Sequence, residues 1–180
     1  MANINEPRPM GHFVQFVDNG DGTHSERTAL ASGIVYTDVT LSLDTKIYAD
    51  GDVLAATQVV SNAFRIDDQT GMLASVAVID EDDQKAAFDL YFLSADVSMG
   101  TENSAPNISD ANARNYCGHV AISVGDYKDL GGVSVAVLYG INLPIKPISG
   151  TNDIAIAAIS RGTGTYTASG LKLRLGILCN

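Results

Sequence analysis

The stretch SGLKLRLGILCN at 169–180 constrains the fold more than any other part of the chain. Leu171, Leu173, Leu175 and Ile177 share one parity, while Lys172, Arg174 and Gly176 share the other. Side chains of a strand alternate between faces, so this spacing predicts a strand with one buried and one wet face. An apolar strand with no polar tail behind it is expected to be locked into a sheet or a partner.

The same signature recurs along the chain. In 34–43, Val35, Val39, Leu41 and Leu43 share a parity opposite to Thr40, Ser42 and Asp44. Residues 53–64 follow the Asp50-Gly51-Asp52 turn and are rich in β-formers. Residues 72–79 are apolar on both parities, which predicts a central strand covered on both sides. Phe88, Leu90 and Phe92 alternate with Asp89, Tyr91 and Leu93. Alternation returns at Val120, Ile122 and Val124, and at Val133, Val135, Val137 and Tyr139. Residues 154–159 and 171–178 complete about eight strands. Only 109–115 (SDANARN) offers a helical turn, with Ser109 or Asp110 as cap. Short strands separated by turn-rich loops predict an all-β fold, a jelly-roll-like antiparallel β-sandwich.

Ahead of it, 1–33 reads as an extended N-terminal arm, a strand or hairpin followed by a linker; 34–180 is the β-sandwich domain. The arm carries Met10, Phe13, Val14, Phe16 and Val17, then the turn signal DNGDGT at 18–23. Apolar residues in an otherwise polar, irregular segment are expected to bind a partner surface. The alternative is that Phe13, Val14, Phe16 and Val17 form the first strand of the sandwich itself.

Charge narrows the partners. With 11 Lys and Arg against 21 Asp and Glu, the formal charge is −10, which phosphate backbones repel, so no nucleic-acid partner is expected. No apolar run reaches the roughly 20 residues of a membrane span, and the N-terminus lacks a signal-peptide pattern, so a protein made in a cytosol, with no membrane partner, is expected. Cys117 and Cys179 have neither metal-ligand nor CxxC spacing and read as reduced, mostly buried thiols.

The chemistry-bearing residues do not form a reaction set. The acidic run Asp80-Glu81-Asp82-Asp83 has carboxylates that suit a cation but lacks EF-hand spacing, so a solvated hairpin loop is expected. His12, His24 and His119 are scattered, and His119 reads as an outward-facing strand residue. RGTGTYTASG at 161–170 imitates a phosphate-binding glycine loop, but Thr167 stands at its third glycine position and no helix follows. Asn107-Ile108-Ser109 is a glycosylation sequon with no secretory signal ahead of it. Trp is absent, which removes the best sugar-stacking platform, though 7 Tyr remain. No catalytic residue, cofactor or metal site is expected.

Several blocks resemble small structural proteins of tailed-phage virions. They are Tyr48-Ala49-Asp50-Gly51-Asp52-Val53 leading to Asn62-Ala63-Phe64-Arg65, GMLASVAVIDEDD at 71–83 and AAFDLYFL at 86–93. Later come Ile108-Ser109-Asp110-Ala111, Asn142-Leu143-Pro144, Arg161-Gly162-Thr163 and 166–178. Among such proteins are capsid decoration (cement) proteins with jelly-roll-like folds. The resemblance implies a non-enzymatic protein on the capsid exterior, assembled in the host cytoplasm. Its implied partner is the major capsid protein, and its implied oligomer is a homotrimer suited to local threefold axes. A neck, tail or fibre component and a carbohydrate-binding β-sandwich module are the alternatives.

Overall fold

The computed structural model describes residues 5–7, 13–18, 23–27 and 33–179, with side chains described for Thr23 and from Gly33 onward. The chain forms two compact units, Met1–Ala31 and Ser32–Asn180.

In the first unit, β1 (Asn5–Pro7), β2 (Phe13–Asp18) and β3 (His24–Arg27) make a three-stranded antiparallel sheet in the order β1-β2-β3. Asp18 pairs with His24 antiparallel, so the chain reverses between them; 19–22, where the turn expected of DNGDGT falls, lie outside the described residues. The expected strand or hairpin is therefore joined by a further strand. Nor is Phe13–Asp18 a strand of the sandwich sheets: among the described residues it pairs with β1 and β3 in a sheet of their own.

The second unit is a nine-stranded sandwich. Its strands are β4 (Gly33–Thr40), β5 (Val53–Val60), β6 (Gly71–Asp80), β7 (Phe88–Leu93), β8 (Tyr116–Ile122), β9 (Tyr127–Asp129), β10 (Ser134–Ile145), β11 (Ile154–Ser160) and β12 (Leu171–Cys179). One sheet runs β4-β12-β6-β10-β9 and the other β5-β11-β7-β8. The pairing is nested. β7 pairs with β8, β6 with β10, β5 with β11 and β4 with β12, all antiparallel. One long hairpin folded across two layers produces this order, which is jelly-roll wiring.

The inward parity read from the sequence holds in most strands. Leu171, Leu173, Leu175 and Ile177 are buried at 0–1% exposure. They meet Leu73, Val76 and Val78 of β6, and across the sandwich Phe88, Leu90, Phe92, Ile154 and Ile156. Full burial of such a side chain contributes about 1.5–3 kcal/mol. Both cysteines are free; Cys179 is buried and Cys117 half-buried.

Four expectations change. β6 is central, between β12 and β10, but its outer face is only half covered, and Met72 is exposed. The strand buried on both faces is β11, because the 94–115 connection folds over the outside of the four-stranded sheet. Leu93, Met99, Ala155, Ala157 and Ile159 form a second small core there. Hydrogen bonds from Thr57 Oγ1 to the Val97 carbonyl (2.8 Å) and from Asn103 N to the Val53 carbonyl (2.9 Å) pin that connection. The acidic run is not in a hairpin, since β6 and β7 belong to different sheets. Val124 lies outside β8 and opens a 3-10 turn, Val124–Asp126. The helical expectation reduces to a 3-10 turn, Asn112–Asn115, where Ser109 Oγ accepts the Asn112 N–H at 3.3 Å.

Candidate interaction surfaces

The outer face of the five-stranded sheet is built in rows that the strand registers define. One row is Ile34, Leu178, Met72 and Pro144, and the next is Tyr36, Gly176, Ser75 and Tyr139. Asp38, Arg174, Ala77 and Val137 follow. Last come Thr40, Lys172, Ile79, Val135 and Lys128. Five of the eleven exposed large apolar side chains among the described residues stand on this face: Ile34, Tyr36, Met72, Val137 and Tyr139.

Tyr139 is 85% exposed and precedes a register shift in β10; bulges of this kind re-aim side chains at functional edges. Between the two tyrosines the floor drops to Gly176 and Ser75. A Cβ on Gly176 would sit 2.4 Å from Ser75 Oγ and 3.1 Å from the Tyr36 ring. Glycine thus lets Ser75 and the Tyr36 ring close over that position.

Two of the three cations on this face, Arg174 and Lys172, are paired with carboxylates. Arg174 donates from Nε to Asp38 Oδ1 at 2.7 Å and from Nη2 to Oδ2 at 3.0 Å. That hydrogen bonding holds the Asp38 carboxyl below its ordinary value. Lys172 pairs with Glu81. Such exposed pairs add little stability, but they leave an apolar face with no excess of negative charge on a strongly acidic chain.

The acidic run is a structural loop. Asp80 is fully buried and accepts the backbone N–H groups of Lys85 (2.7 Å) and Asp82 (3.2 Å). Burial pushes its carboxyl up, against the pull of those hydrogen bonds. Asp82 accepts the Thr167 N–H at 2.7 Å and its hydroxyl at 3.0 Å. Lys85 Nζ lies 2.8 Å from Asp83 and 3.1 Å from Asp129. Among the described residues no three His, Cys, Asp or Glu side chains gather as a metal would require. No helix among them is long and apolar enough to cross a membrane. The 161–170 segment is a loop joining β11 to β12, with no helix behind it.

On the other sheet, Tyr91 of β7 lies opposite His119 of β8. Their rings are 5.3 Å apart and stacked; Tyr116 stands 5.8 Å from Tyr91 and 6.3 Å from His119. The Tyr116 hydroxyl and His119 Nδ1 are hydrogen-bonded. Strict alternation would put Tyr116 and His119 on opposite faces. A bulge at Cys117 and Gly118, where the register shifts, brings both outward. Gly118 permits it, with φ 149° and Leu143 Cδ1 lying 2.5 Å from where a Cβ would be. Arg161 donates from Nε to Asp89 Oδ2 at 2.7 Å and also interacts with the Tyr91 side chain.

Of the arm residues singled out in the sequence, Phe13, Val14, Phe16 and Val17 lie in β2. Their side chains, and Met10 altogether, lie outside the described residues. His119 is exposed on its strand as expected; His12 lies outside the described residues, and His24 is in β3. A scan against protein-family models finds no match for the chain, and a search of curated proteins finds none either.

Proposed function

We propose that the chain is a non-enzymatic virion structural protein of a tailed phage, a decoration (cement) protein that binds the major capsid protein and stabilises the head. The observation that carries this reading is the open apolar face of the five-stranded sheet. The sandwich closes its core without Ile34, Tyr36, Met72, Val137 or Tyr139, so their exposure is surplus to folding. Contiguous apolar exposure rimmed by polar residues marks an interaction surface. The face carries no excess of negative charge and so can approach a protein shell, while the chain's charge of −10 keeps the remaining surface soluble and away from DNA. The β-rich N-terminal unit supplies a second adhesive element through Met10, Phe13, Val14, Phe16 and Val17, by strand addition to a neighbouring subunit. In this reading the protein assembles in the host cytoplasm as a homotrimer and resides on the capsid exterior.

Cosedimentation with undecorated heads tests it. Saturable binding at hundreds of copies per head is expected. Val137→Asp with Tyr139→Asp is expected to weaken binding about a hundredfold or more while leaving the melting temperature unchanged. Failure of the unmodified protein to bind heads, or retention of full binding by the double variant, would overturn the reading.

A further inference from the structure

We propose that the cluster Tyr91, Tyr116 and His119, together with Asp89 and Arg161, is a binding site for a neutral oligosaccharide. This site lies on the opposite sheet from the proposed capsid-binding face and stands independently of that reading.

The backbone carries the first argument. Cross-strand aromatic pairs stabilise sheets, and Tyr91 with His119 would suffice for that. Adding Tyr116 requires the bulge at Cys117 and Gly118, which interrupts the ladder and bends the edge strand. Bulges that re-aim side chains concentrate beside functional sites. The three centroids form a triangle of 5.3–6.3 Å sides rather than a column, whose end rings would stand about twice as far apart. Tyr116 remains 45% exposed and His119 is exposed beside it. The group thus keeps aromatic surface in water at the sheet edge.

The second argument is chemical. A pyranose has an apolar C–H face that packs on aromatic rings and hydroxyls that need both donors and acceptors. Asp89 uses Oδ2 for Arg161 Nε, so its other oxygen is an acceptor beside guanidinium donors. This acceptor and these donors sit side by side, as a vicinal diol requires. Arg161 also lines a cleft of about 320 Å³ with Lys85, Gly162, Thr163 and Gly164, which neither Asp89 nor the three rings line, so Arg161 is the residue that the cluster and the cleft share. Asp89 and the nearby Asp50, 3.9 Å from Arg161 Nη1, disfavour acidic sugars.

The test uses the full chain and a panel of maltotriose, cellotriose, mannotriose and tri-N-acetylglucosamine, with trigalacturonate as the acidic member. Tyrosine emission, free of tryptophan background, and two-dimensional NMR report binding. One neutral trisaccharide is expected to bind saturably and to shift the amides around 116–121. Tyr116→Ala and Arg161→Gln are each expected to weaken it about tenfold, while Ile47→Ala, an exposed loop residue, leaves it unchanged. The proposal is overturned if no neutral member binds saturably, if trigalacturonate binds more tightly, or if a folded Tyr116→Ala, His119→Ala double variant binds like the parent.

Discussion

Asp80 illustrates how a single side chain ties the loop at the end of β6 to the pH dependence of folding. Its folded-state pKa is raised above the ordinary 3.8 by burial. Its stabilising contribution is therefore fully present below 3.8 and is lost as pH rises through the raised folded value. Asp80→Asn keeps one oxygen acceptor and does not ionise. Across that window the wild type is expected to lose stability relative to the Asn variant, measured as the difference in unfolding free energy by urea titration. A wild type that gained on the variant as pH rose would sink this assignment. Leu173 tests the core from inside. It is 1% exposed, so Leu173→Asp places an unpaired charge among Val78, Leu171 and Leu175 and is expected to cost about 4 kcal/mol or more. Circular dichroism melting reads it, and a wild-type melting temperature would refute the inward assignment. This much was legible from alternation alone, because a half-buried strand leaves no other parity for its leucines. The Tyr91, Tyr116 and His119 cluster was not, since residues three apart in a regular strand face opposite ways and only the bulge at Cys117 and Gly118 reverses that.

At the scale of the element, β12 holds its sheet together. It lies between β4 and β6 and pairs with both, so removing 175–180 takes ladder partners from two strands at once. It also takes Leu175, Ile177 and Cys179 from the core. The truncated chain is expected to show no cooperative melting transition; a cooperative transition near that of the full chain would show that the remaining strands close a core without it. All eight strands read from the sequence are present, whereas β9, at three residues, is too short for periodicity to register. The misread concerned cover. Apolar residues on both parities of β6 imply burial on both faces, but the pattern cannot say whether a second layer exists. In β11 the outward residues are Ala155, Ala157 and Ile159, covered by the 94–115 connection; in β6 they are Met72, Ala77 and Ile79, left partly open. Loop placement is set by long-range packing, so strand-scale patterns do not report it. The nested pairing of β4 with β12 is equally remote in sequence: short strands and turn-rich loops predict the jelly-roll-like class, but not which strands pair.

For the whole molecule, the division at Ala31 and Ser32 permits the two proposed adhesive elements to be separated. The N-terminal unit is compact by itself and its three strands form a sheet of their own, so deletion of 1–31 is expected to leave the sandwich's melting transition in place. If the N-terminal unit and the sheet face engage the same head, each raises the effective concentration of the other, and avidity exceeds either contact by about 10²–10⁴. Loss of either element is then expected to weaken head binding by about a hundredfold or more, and loss of both to abolish it. Cosedimentation isotherms of the 1–31 deletion, the Val137→Asp, Tyr139→Asp variant and their combination supply the comparison. A deletion that melts normally and binds heads with full affinity would remove the N-terminal unit from the interface and leave the sheet face as the whole of it. A deletion that fails to fold would instead make the first unit part of the sandwich's stability.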